Sequence, residues 1–268
     1  MRKKVFTFAT ALVLITSIVL TGCGGTKTSA PANTASNAPA PAAEKVLKVG
    51  SDIAYAPFEF MDTKQQPTGF DIDLMTAIGE DLGYKVKFET AAFDGLIPAL
   101  GSGKYDMVIS AMTITEKRAQ SVLFSDKYFE ATQFIAVKKG STIKSEADLK
   151  GKKVGVQVAT TGQEVVEKLG ITPKKYDTTP DALNDLINGG VEAVVADSPV
   201  VLWFIKQNPD KAIEAVKGNF EKEYYGIAFK KDDKATADKV NATLKKFMSN
   251  GKYNDIYKKW FNVDAPKF

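Results

Sequence analysis

The sequence has no histidine and only one cysteine among its 268 residues. Histidine is the side chain that most often acts as a general base near neutral pH, and it is the commonest metal ligand, so the usual candidate for both roles is missing. With a single thiol, Cys23, the chain can form neither an internal disulfide nor a cysteine metal cluster. We therefore expect no metal ion and no cofactor.

A strong excess of positive charge is also absent once the N-terminus is set aside. The chain carries 36 Lys and Arg against 32 Asp and Glu, and three of these cations are Arg2, Lys3 and Lys4. The remaining 33 cations and 32 acids make the rest of the chain nearly neutral. A neutral body gives no electrostatic reason to expect nucleic acid as a partner.

The N-terminus has the pattern of an export signal. The basic residues precede an apolar run, Val5–Leu20, which leads into Leu20-Thr21-Gly22-Cys23. The run is too short for a comfortable membrane span, and its last residues resemble a bacterial lipobox, in which the cysteine is lipidated. The alternative is a plain secretory signal with an unrelated cysteine. We predict a lipoprotein signal peptide over residues 1–22 and lipidation of Cys23, palmitate included, which anchors the protein extracytoplasmically to the cell membrane.

The rest of the chain divides into a tether and a folded body. Residues 23–44 hold little besides small residues, polar residues and proline, which predicts a flexible tether. Beyond them strands alternate with helices, as in parallel sheets that are covered on both faces. The predicted elements include a strand Val46–Ser51, a helix capped by Asp71 that runs to Leu82, a strand Lys85–Glu89, a helix Leu96–Leu100 and a strand Asp106–Ser110.

Two short motifs occur twice in the same order. Lys48-Val49-Gly50 recurs as Lys153-Val154-Gly155. Leu100-x-x-Gly103 recurs as Leu186-x-x-Gly189, and both are followed by an acidic residue and an apolar pair. The repetition predicts two lobes that are built on one plan.

The chain must cross between these lobes. The candidate crossings are the extended runs Ala131–Val137 and Glu223–Phe229. We predict one lobe from residues 45–130 and 225–268 and a second lobe from residues 131–224. The expected fold is a two-lobed α/β fold of the periplasmic-binding-protein type, in which each lobe is a mostly parallel sheet flanked by helices and two hinge strands join the lobes.

Polar residues stand where strands of the predicted sheets end, and ligands of open α/β sheets bind beyond the carboxyl ends of the strands. Thr113 and Glu116 have capping-box spacing, which predicts a helix with Arg118 in its first turn. A cation there opposes the helix dipole unless an anion is present, and a guanidinium binds a carboxylate with two parallel hydrogen bonds. Thr161 and Glu164 repeat the spacing after a later strand. Taken alone, the first pattern is equally compatible with an exposed surface arginine, and the second is also the pattern of an ordinary capped helix.

Two carboxylates and two aromatic rings complete the candidate site. Asp52 and Asp197 each follow an apolar strand, and either could cap the next helix or accept hydrogen bonds from an ammonium group. Tyr55 and Phe93 could hold the apolar stem of a ligand, although aromatic side chains belong more often to a core. Together these groups offer an anion site, a cation site, two rings that could enclose the apolar stem of a ligand, and a hydrogen-bond acceptor for the far end of the ligand.

Several longer motifs carry a resemblance to a known family. They are Tyr55-Ala56-Pro57-Phe58-Glu59-Phe60, Gly69-Phe70-Asp71-Ile72-Asp73, Thr113-Ile114-Thr115, Phe124-Ser125-Asp126, Tyr225-Gly226 and Tyr257-Lys258-Lys259-Trp260-Phe261. Over nearly all of residues 45–268 the chain resembles the polar amino acid solute-binding proteins of ABC importers, the group of the glutamine, histidine and lysine/arginine/ornithine binders.

The resemblance implies how the backbone groups of an amino acid are held. Arg118 and the N–H groups of Thr113 and Thr161 would hold the ligand carboxylate. Asp197 and the carbonyl of Ala111 would hold the ammonium group. The whole predicted site consists of Asp52, Tyr55, Phe93, Ser110, Ala111, Thr113, Arg118, Gln157, Thr161 and Asp197.

The resemblance also bears on which amino acid is bound. Tyr55 and Phe93 would stack on the stem, and Asp52 would meet the tip of the side chain. Enteric glutamine binders carry Lys where Gln157 stands and His where Ala196 stands. A lysine in the pocket would repel a cationic side chain at a cost of about 1 to 4 kcal/mol. Its absence favours arginine and other basic amino acids, with glutamine as the alternative.

The predicted function is therefore binding and not catalysis. We expect a monomer that closes around a free polar amino acid by hinge motion and presents it to a membrane permease. Two other functions remain possible on the same fold. One is a dehydratase-like enzyme, which needs a positioned proton donor in the cleft. The other is the sensor domain of a receptor.

Overall fold

The computed structural model describes residues 45–267. The predicted signal peptide, the tether and Cys23 lie outside these residues. Within the described part of the chain, no helix has both the length and the apolar character needed to span a membrane.

The described residues form two main sheets with helices around them. The strands are β1 (Val46–Ser51), β2 (Phe60–Met61), β3 (Pro67–Thr68), β4 (Lys85–Thr90), β5 (Met107–Val108), β6 (Val122–Phe124), β7 (Phe129–Lys138), β8 (Val154–Gln157), β9 (Lys174–Tyr176), β10 (Ala193–Asp197), β11 (Ile213–Val216), β12 (Lys222–Tyr225) and β13 (Ala228–Lys230). The helices are α1 (Phe70–Asp81), α2 (Phe93–Gly101), α3 (Glu116–Ala119), α4 (Thr161–Lys168), α5 (Thr179–Asn188), α6 (Ser198–Gln207), α7 (Lys234–Asn250) and α8 (Lys252–Phe261). Short 3-10 helices span Glu146–Leu149 and Pro209–Lys211.

The first lobe is built on a five-stranded sheet with the order β4-β1-β5-β13-β6. β1 is parallel to β4 and β5, whereas β13 is antiparallel to β5 and β6. Successive residues of β5 point to opposite faces, so Met107 joins the core under α1, α7 and α8, and Val108 joins the core under α2. The C-terminal helices thus pack on the first lobe, as the return crossing requires.

The second lobe repeats this arrangement. Its sheet has the order β11-β7-β10-β8-β9, with β8 parallel to β9 and β10 and with β7 antiparallel to β10 and β11. Ala193 and Val194 of β10 again belong to cores on opposite faces, one that includes Val166 of α4 and one that includes Leu183 of α5 and Val201 of α6. The expected two-lobed α/β class is confirmed.

The repeated motifs occupy equivalent places in the two sheets. Asp106 accepts a hydrogen bond from the N–H of Lys48 at 2.8 Å, and Glu192 accepts one from the N–H of Lys153 at 3.0 Å. The register is also the same, the parallel pairs being Val49 with Met107 and Gly50 with Val108 in the first lobe, and Val154 with Ala193 and Gly155 with Val194 in the second. The two lobes therefore share the same arrangement of strands around the repeated motifs.

Two antiparallel strands run side by side between the lobes. The first residues of β7, Phe129–Thr132, pair with all of β12, and the later residues of β7 enter the second sheet. After β12 the chain returns to the first sheet as β13. The crossing strands thus overlap the two extended runs that were predicted to cross.

Candidate functional site

All the residues predicted for the site line one narrow pocket between the lobes, where the loops after β1 and β5 meet the ends of β8 and β10. Two further residues, Glu59 and Thr160, line the same pocket. The lining is Asp52, Tyr55, Glu59, Phe93, Ser110, Ala111, Thr113, Arg118, Gln157, Thr160, Thr161 and Asp197.

Arg118 lies on α3, and its guanidinium reaches both lobes. Nη1 donates to the carbonyl of Thr113 at 2.8 Å, and Nη2 donates to the carbonyl of Ala159, on the second lobe, at 2.9 Å. The guanidinium carbon lies 5.1 Å from the centre of the Phe93 ring. Burial lowers the pKa of Arg118, but a guanidinium remains charged at any physiological pH. The pocket therefore contains a permanent positive charge.

Both helix starts beside the pocket differ slightly from the prediction. Thr115, and not Thr113, caps α3, and Thr160, and not Thr161, caps α4; each cap accepts a hydrogen bond from the N–H three residues on, at 3.2 Å. Neighbouring threonines are chemically equal as caps, so the path of the backbone decides which of them serves. The hydroxyls of Thr113 and Thr161 donate instead to Glu223.

Asp197 ends β10 and lines the pocket, and its side chain does not cap α6. Gln133 Nε2 donates to Oδ1 at 2.5 Å, and the hydroxyl of Tyr225 donates to Oδ2 at 2.5 Å. Burial raises the pKa of Asp197 to about 6, and the nearby charge of Glu223 adds to the shift. A carboxylate held in this way is stabilised by a cation beside it.

Asp52 and Gln157 meet across the cleft. Gln157 Nε2 donates to Asp52 Oδ2 at 2.7 Å, and Gln157 Oε1 accepts from the hydroxyl of Thr179 at 2.9 Å. Burial raises the pKa of Asp52 to about 6, which the hydrogen bond from Gln157 partly opposes. The two residues are equivalent in the repeat, since each lies three positions after the valine of its motif. This contact shows that the two lobes touch at the pocket.

Two buried acids support the loop that carries Ser110 and Ala111. Ser110 Oγ accepts from the N–H of Asp52 at 2.9 Å and donates to Glu59 Oε1 at 3.0 Å. The N–H of Ala111 donates to Asp71 Oδ2 at 2.7 Å, which helps to hold Ala111 in the left-handed region at φ 44°. Burial raises the pKa of both Glu59 and Asp71, that of Asp71 to about 6. The prediction that Asp71 caps α1 is therefore wrong, because its side chain is drawn into the core beneath the pocket.

Tyr55 and Phe93 supply the aromatic walls of the pocket. Tyr55 is buried and stacks on Phe58 with ring centroids 6.4 Å apart. Burial and the charge of Asp197 raise the pKa of Tyr55 well above its ordinary value, so the phenol stays neutral. Phe93 begins α2 and lies against the guanidinium of Arg118.

Sequence reasoning missed four residues that matter here: Glu59, Asp71 in its supporting role, Gln133 and Glu223. Gln133 and Glu223 lie on the crossing strands and outside every motif named above. Glu59 and Asp71 do belong to motifs named above. Their position inside those motifs was the signal that could have identified them.

Two α/β lobes joined by crossing strands, with a polar pocket between them at the carboxyl ends of the strands, define a bilobed solute-binding protein. Residues 47–263 match the bacterial extracellular solute-binding proteins, family 3, and the chain belongs to this family. Proteins of this family act outside the cytoplasm.

Relatives extend over nearly the whole chain. A probable histidine-binding protein of Neisseria gonorrhoeae is 40% identical and covers 94% of each chain, and the glutamine-binding protein GlnH of Bacillus subtilis is 35% identical and covers 98% of each. Among solved structures, the arginine-, lysine-, histidine-binding protein ArtJ of Geobacillus stearothermophilus is 46% identical with a TM-score of 0.80, over 82% of this chain and 97% of that protein.

Proposed function

We propose that this protein binds a free polar L-amino acid between its lobes and hands it to the permease of an ABC importer. The observation that carries the proposal is that Arg118 of the first lobe and Asp197 of the second line the same pocket. A buried zwitterion needs a partner for each of its charges, and these two side chains provide one each. The amino acids named for the relatives support the same ligand class.

The proposed roles follow from the position of each group. Arg118 and the N–H groups of Thr113 and Thr161 bind the ligand carboxylate. Asp197 and the carbonyl of Ala111 bind the ammonium group. The N-terminus of α4, at which Thr161 lies, adds the favourable end of a helix dipole to the anion site.

The distal end of the pocket receives the ligand side chain. Tyr55 and Phe93 enclose its stem, and Asp52 accepts hydrogen bonds from its tip. Gln157 donates to the Asp52 carboxylate from the second lobe and orients it, and Ser110 Oγ accepts from the backbone N–H of Asp52 in the first lobe.

A basic ligand agrees best with the charges of the pocket. Asp52 is only 6% exposed, and Gln157, its partner across the cleft, is neutral. An ionised acid at such a site is costly unless a cation reaches it, and the side chain of arginine or lysine supplies that cation. Glutamine leaves Asp52 without one. We therefore propose arginine and related basic amino acids as ligands, with glutamine second.

Calorimetry with Arg118→Ala tests the proposal. We expect the variant to lose detectable binding of arginine, lysine, histidine and glutamine while it unfolds at nearly the wild-type temperature. Lys64→Ala is the control, because Lys64 is exposed, does not line the pocket and should leave affinity unchanged. Micromolar binding by Arg118→Ala, roughly −8 kcal/mol, would contradict the proposed role.

A titration of the wild-type protein with arginine and with glutamine tests the preference. We expect arginine to bind at least tenfold more tightly. Asp52→Asn should reduce this ratio, because it removes the acceptor for the cationic tip. Tight binding of glutamine without binding of arginine would reverse the order.

The remaining parts of the proposal concern the molecule as a whole. We propose that the protein acts as a monomer, that Cys23 carries the lipid anchor and that the lobes divide at residues 130/131 and 224/225. The strand pairing supports these boundaries, since β7 and β12 run between the sheets at these positions. We propose binding without catalysis, because the relatives named above are described as amino acid-binding proteins. Mass spectrometry of the membrane fraction tests the anchor at Cys23.

A further inference from the structure

Glu223 lies on the crossing strand β12 and connects the two lobes. Its Oε2 accepts a hydrogen bond from the hydroxyl of Thr113, in the first lobe, at 2.7 Å. The same oxygen accepts one from the hydroxyl of Thr161, at the start of α4 in the second lobe, at 2.7 Å. One carboxylate oxygen is therefore bonded to both sides of the cleft.

The other oxygen of Glu223 continues the network toward the proposed ammonium site. Gln133 Nε2 donates to Glu223 Oε1 at 3.1 Å and to Asp197 Oδ1 at 2.5 Å. Gln133 is buried on β7, the second crossing strand. Glu223 thus contacts the crossing strands and both lobes through charge-assisted hydrogen bonds, which are stronger than neutral ones.

Glu223 also lies directly behind two residues that line the ligand pocket. Thr113 and Thr161 line the pocket and also line a wider groove on the side of the crossing strands. Glu223 lines that groove and bonds to both threonines from behind. Its carboxylate therefore joins Thr113 of the first lobe to Thr161 of the second lobe.

We propose that Glu223 is a positioning residue that fastens the closed form and slows release of the ligand. The proposal rests on the proposed function, because it assigns Glu223 a part in closure around the same pocket. When the lobes separate, Thr113 and Thr161 move apart, and Glu223 loses at least one of its two short hydrogen bonds. The contact therefore favours the closed form over the open form and does not depend on which amino acid is enclosed.

Ligand dissociation rates test the inference. The two tryptophans, Trp203 and Trp260, face each other across the cleft with ring centroids 6.2 Å apart, so their fluorescence reports opening in stopped flow. We expect Glu223→Ala to release arginine at least tenfold faster than the wild type while its association rate changes less than twofold. Glu223→Gln keeps an acceptor oxygen for the threonines. Its dissociation rate should therefore lie between those of the wild type and Glu223→Ala.

Two controls separate this role from a purely structural one. Glu221→Ala removes an exposed acid two residues away and should leave both rates unchanged. Thr161→Val should also speed release, and combining it with Glu223→Ala should add little, because both changes remove the same hydrogen bond. A variant that is damaged only in folding would instead lose thermal stability without this non-additive pattern.

The outcomes distinguish the inference from the proposed function. If Glu223→Ala and Thr161→Val release arginine at the wild-type rate, the inference is wrong, although the protein still binds amino acids. If the wild-type protein binds none of arginine, lysine, histidine and glutamine, the proposed function fails first, and the inference fails with it.

Discussion

At the scale of single residues, the pocket combines one permanent cation with two acids whose pKa is raised by burial. Asp52 and Asp197 come from different lobes, and the pKa of each is raised to about 6. Arg118 cannot titrate in the same range. The charge of the pocket, and with it the proposed preference for a cationic ligand, therefore depends on pH between neutrality and pH 5.

We predict that affinity for arginine falls as the pH falls from 7 to 5. Each acid must be ionised to hold a cation, and one pH unit below its pKa each costs about a factor of ten in binding. Calorimetry at pH 7, 6 and 5 measures the loss. Asp52→Asn removes one titrating group and should flatten the profile, whereas equal affinity at all three values would contradict the prediction.

The same shifts have the opposite effect on the ligand-free fold. A carboxyl whose pKa is higher in the folded state than in the unfolded state binds its proton more tightly when folded. The contribution of Asp52 and Asp197 to stability is therefore greatest below about pH 4 and is lost as the pH rises through about 6. Urea unfolding of Asp52→Asn, compared with the wild type across this range, isolates the part that belongs to Asp52.

Residues at strand ends could be predicted from the sequence, and those on crossing strands could not. Asp52 and Asp197 follow apolar strands, so their place at the cleft follows from the general rule for α/β sheets. Glu223 reaches Thr113, 110 positions away, and Thr161, 62 positions away. Such contacts depend on the tertiary packing of segments that are far apart in the sequence, and no local sequence motif predicts that packing.

At the scale of elements, α6 links the second lobe to the first through a cluster of three aromatic rings. Trp203 lies 6.2 Å from Phe60 and 6.2 Å from Trp260, measured between ring centroids. Phe60 and Trp260 are 5.8 Å apart and belong to the first lobe. These contacts cross the cleft without lining the ligand pocket.

We predict that Trp203→Ala weakens arginine binding about tenfold although Trp203 does not line the pocket. Each aromatic pair contributes about 0.5–1.5 kcal/mol beyond burial, and both pairs are made only when the lobes are together. Leu202→Ala is the matched control, since Leu202 is 50% exposed on the same helix. Calorimetry compares the variants, and equal losses for both would refute a specific role of the ring.

The start of α1 depends on a glycine. Gly69 precedes the helix at φ 137°, and a Cβ there would lie 2.0 Å from the carbonyl oxygen of Phe58. Gly83, just beyond the other end of α1, has φ 78° but open space around it. A substitution at Gly69 therefore meets both a steric collision and backbone strain, whereas a substitution at Gly83 meets backbone strain alone.

We predict that Gly69→Ala lowers the free energy of unfolding by about 3 kcal/mol or more, because strain and collision add. Gly83→Ala should cost about 1 kcal/mol, since only the left-handed conformation opposes it. Urea denaturation of the two variants measures the difference. Similar losses at both positions would show that the collision at Gly69 is relieved by a small shift.

Strands and helices were predicted well where a sequence motif repeats. They were predicted less well where several similar residues could end a strand or cap a helix. The doubled Lys-Val-Gly motif predicted matching strands, and β1 and β8 confirm it. The strand predicted at Asp106–Ser110 is shorter, with only Met107–Val108 in β5, because the chain turns at once toward the pocket. The caps moved from Thr113 to Thr115 and from Thr161 to Thr160, since several threonines could serve.

At the scale of the whole molecule, binding and stability are linked. The lobes share few covalent connections, so a ligand that bridges them holds the closed arrangement together. A ligand that binds only the folded protein adds about 2.7 kcal/mol at a concentration of 100 times its Kd. For a body of this size, that corresponds to an increase in Tm of roughly 5–10 °C.

We predict that arginine raises the Tm of the wild-type protein by this amount and leaves the Tm of Arg118→Ala unchanged. Differential scanning fluorimetry with a series of amino acids measures the shift and ranks the ligands at the same time. Glycine serves as a negative control because it has no side chain to reach Asp52. An equal shift with glycine would show that the distal end of the pocket contributes nothing.

The equivalence of Asp52 and Gln157 has a consequence for how such a receptor diversifies. They occupy equivalent positions of the repeated motif, and a hydrogen bond joins them across the cleft, in the same pocket as Arg118 and Asp197. If Asp52 receives the tip of the ligand side chain as proposed, a single substitution at either position changes the preferred ligand and leaves Arg118 and Asp197 unchanged. The ligand preference can then change through single substitutions, while closure of the lobes is retained.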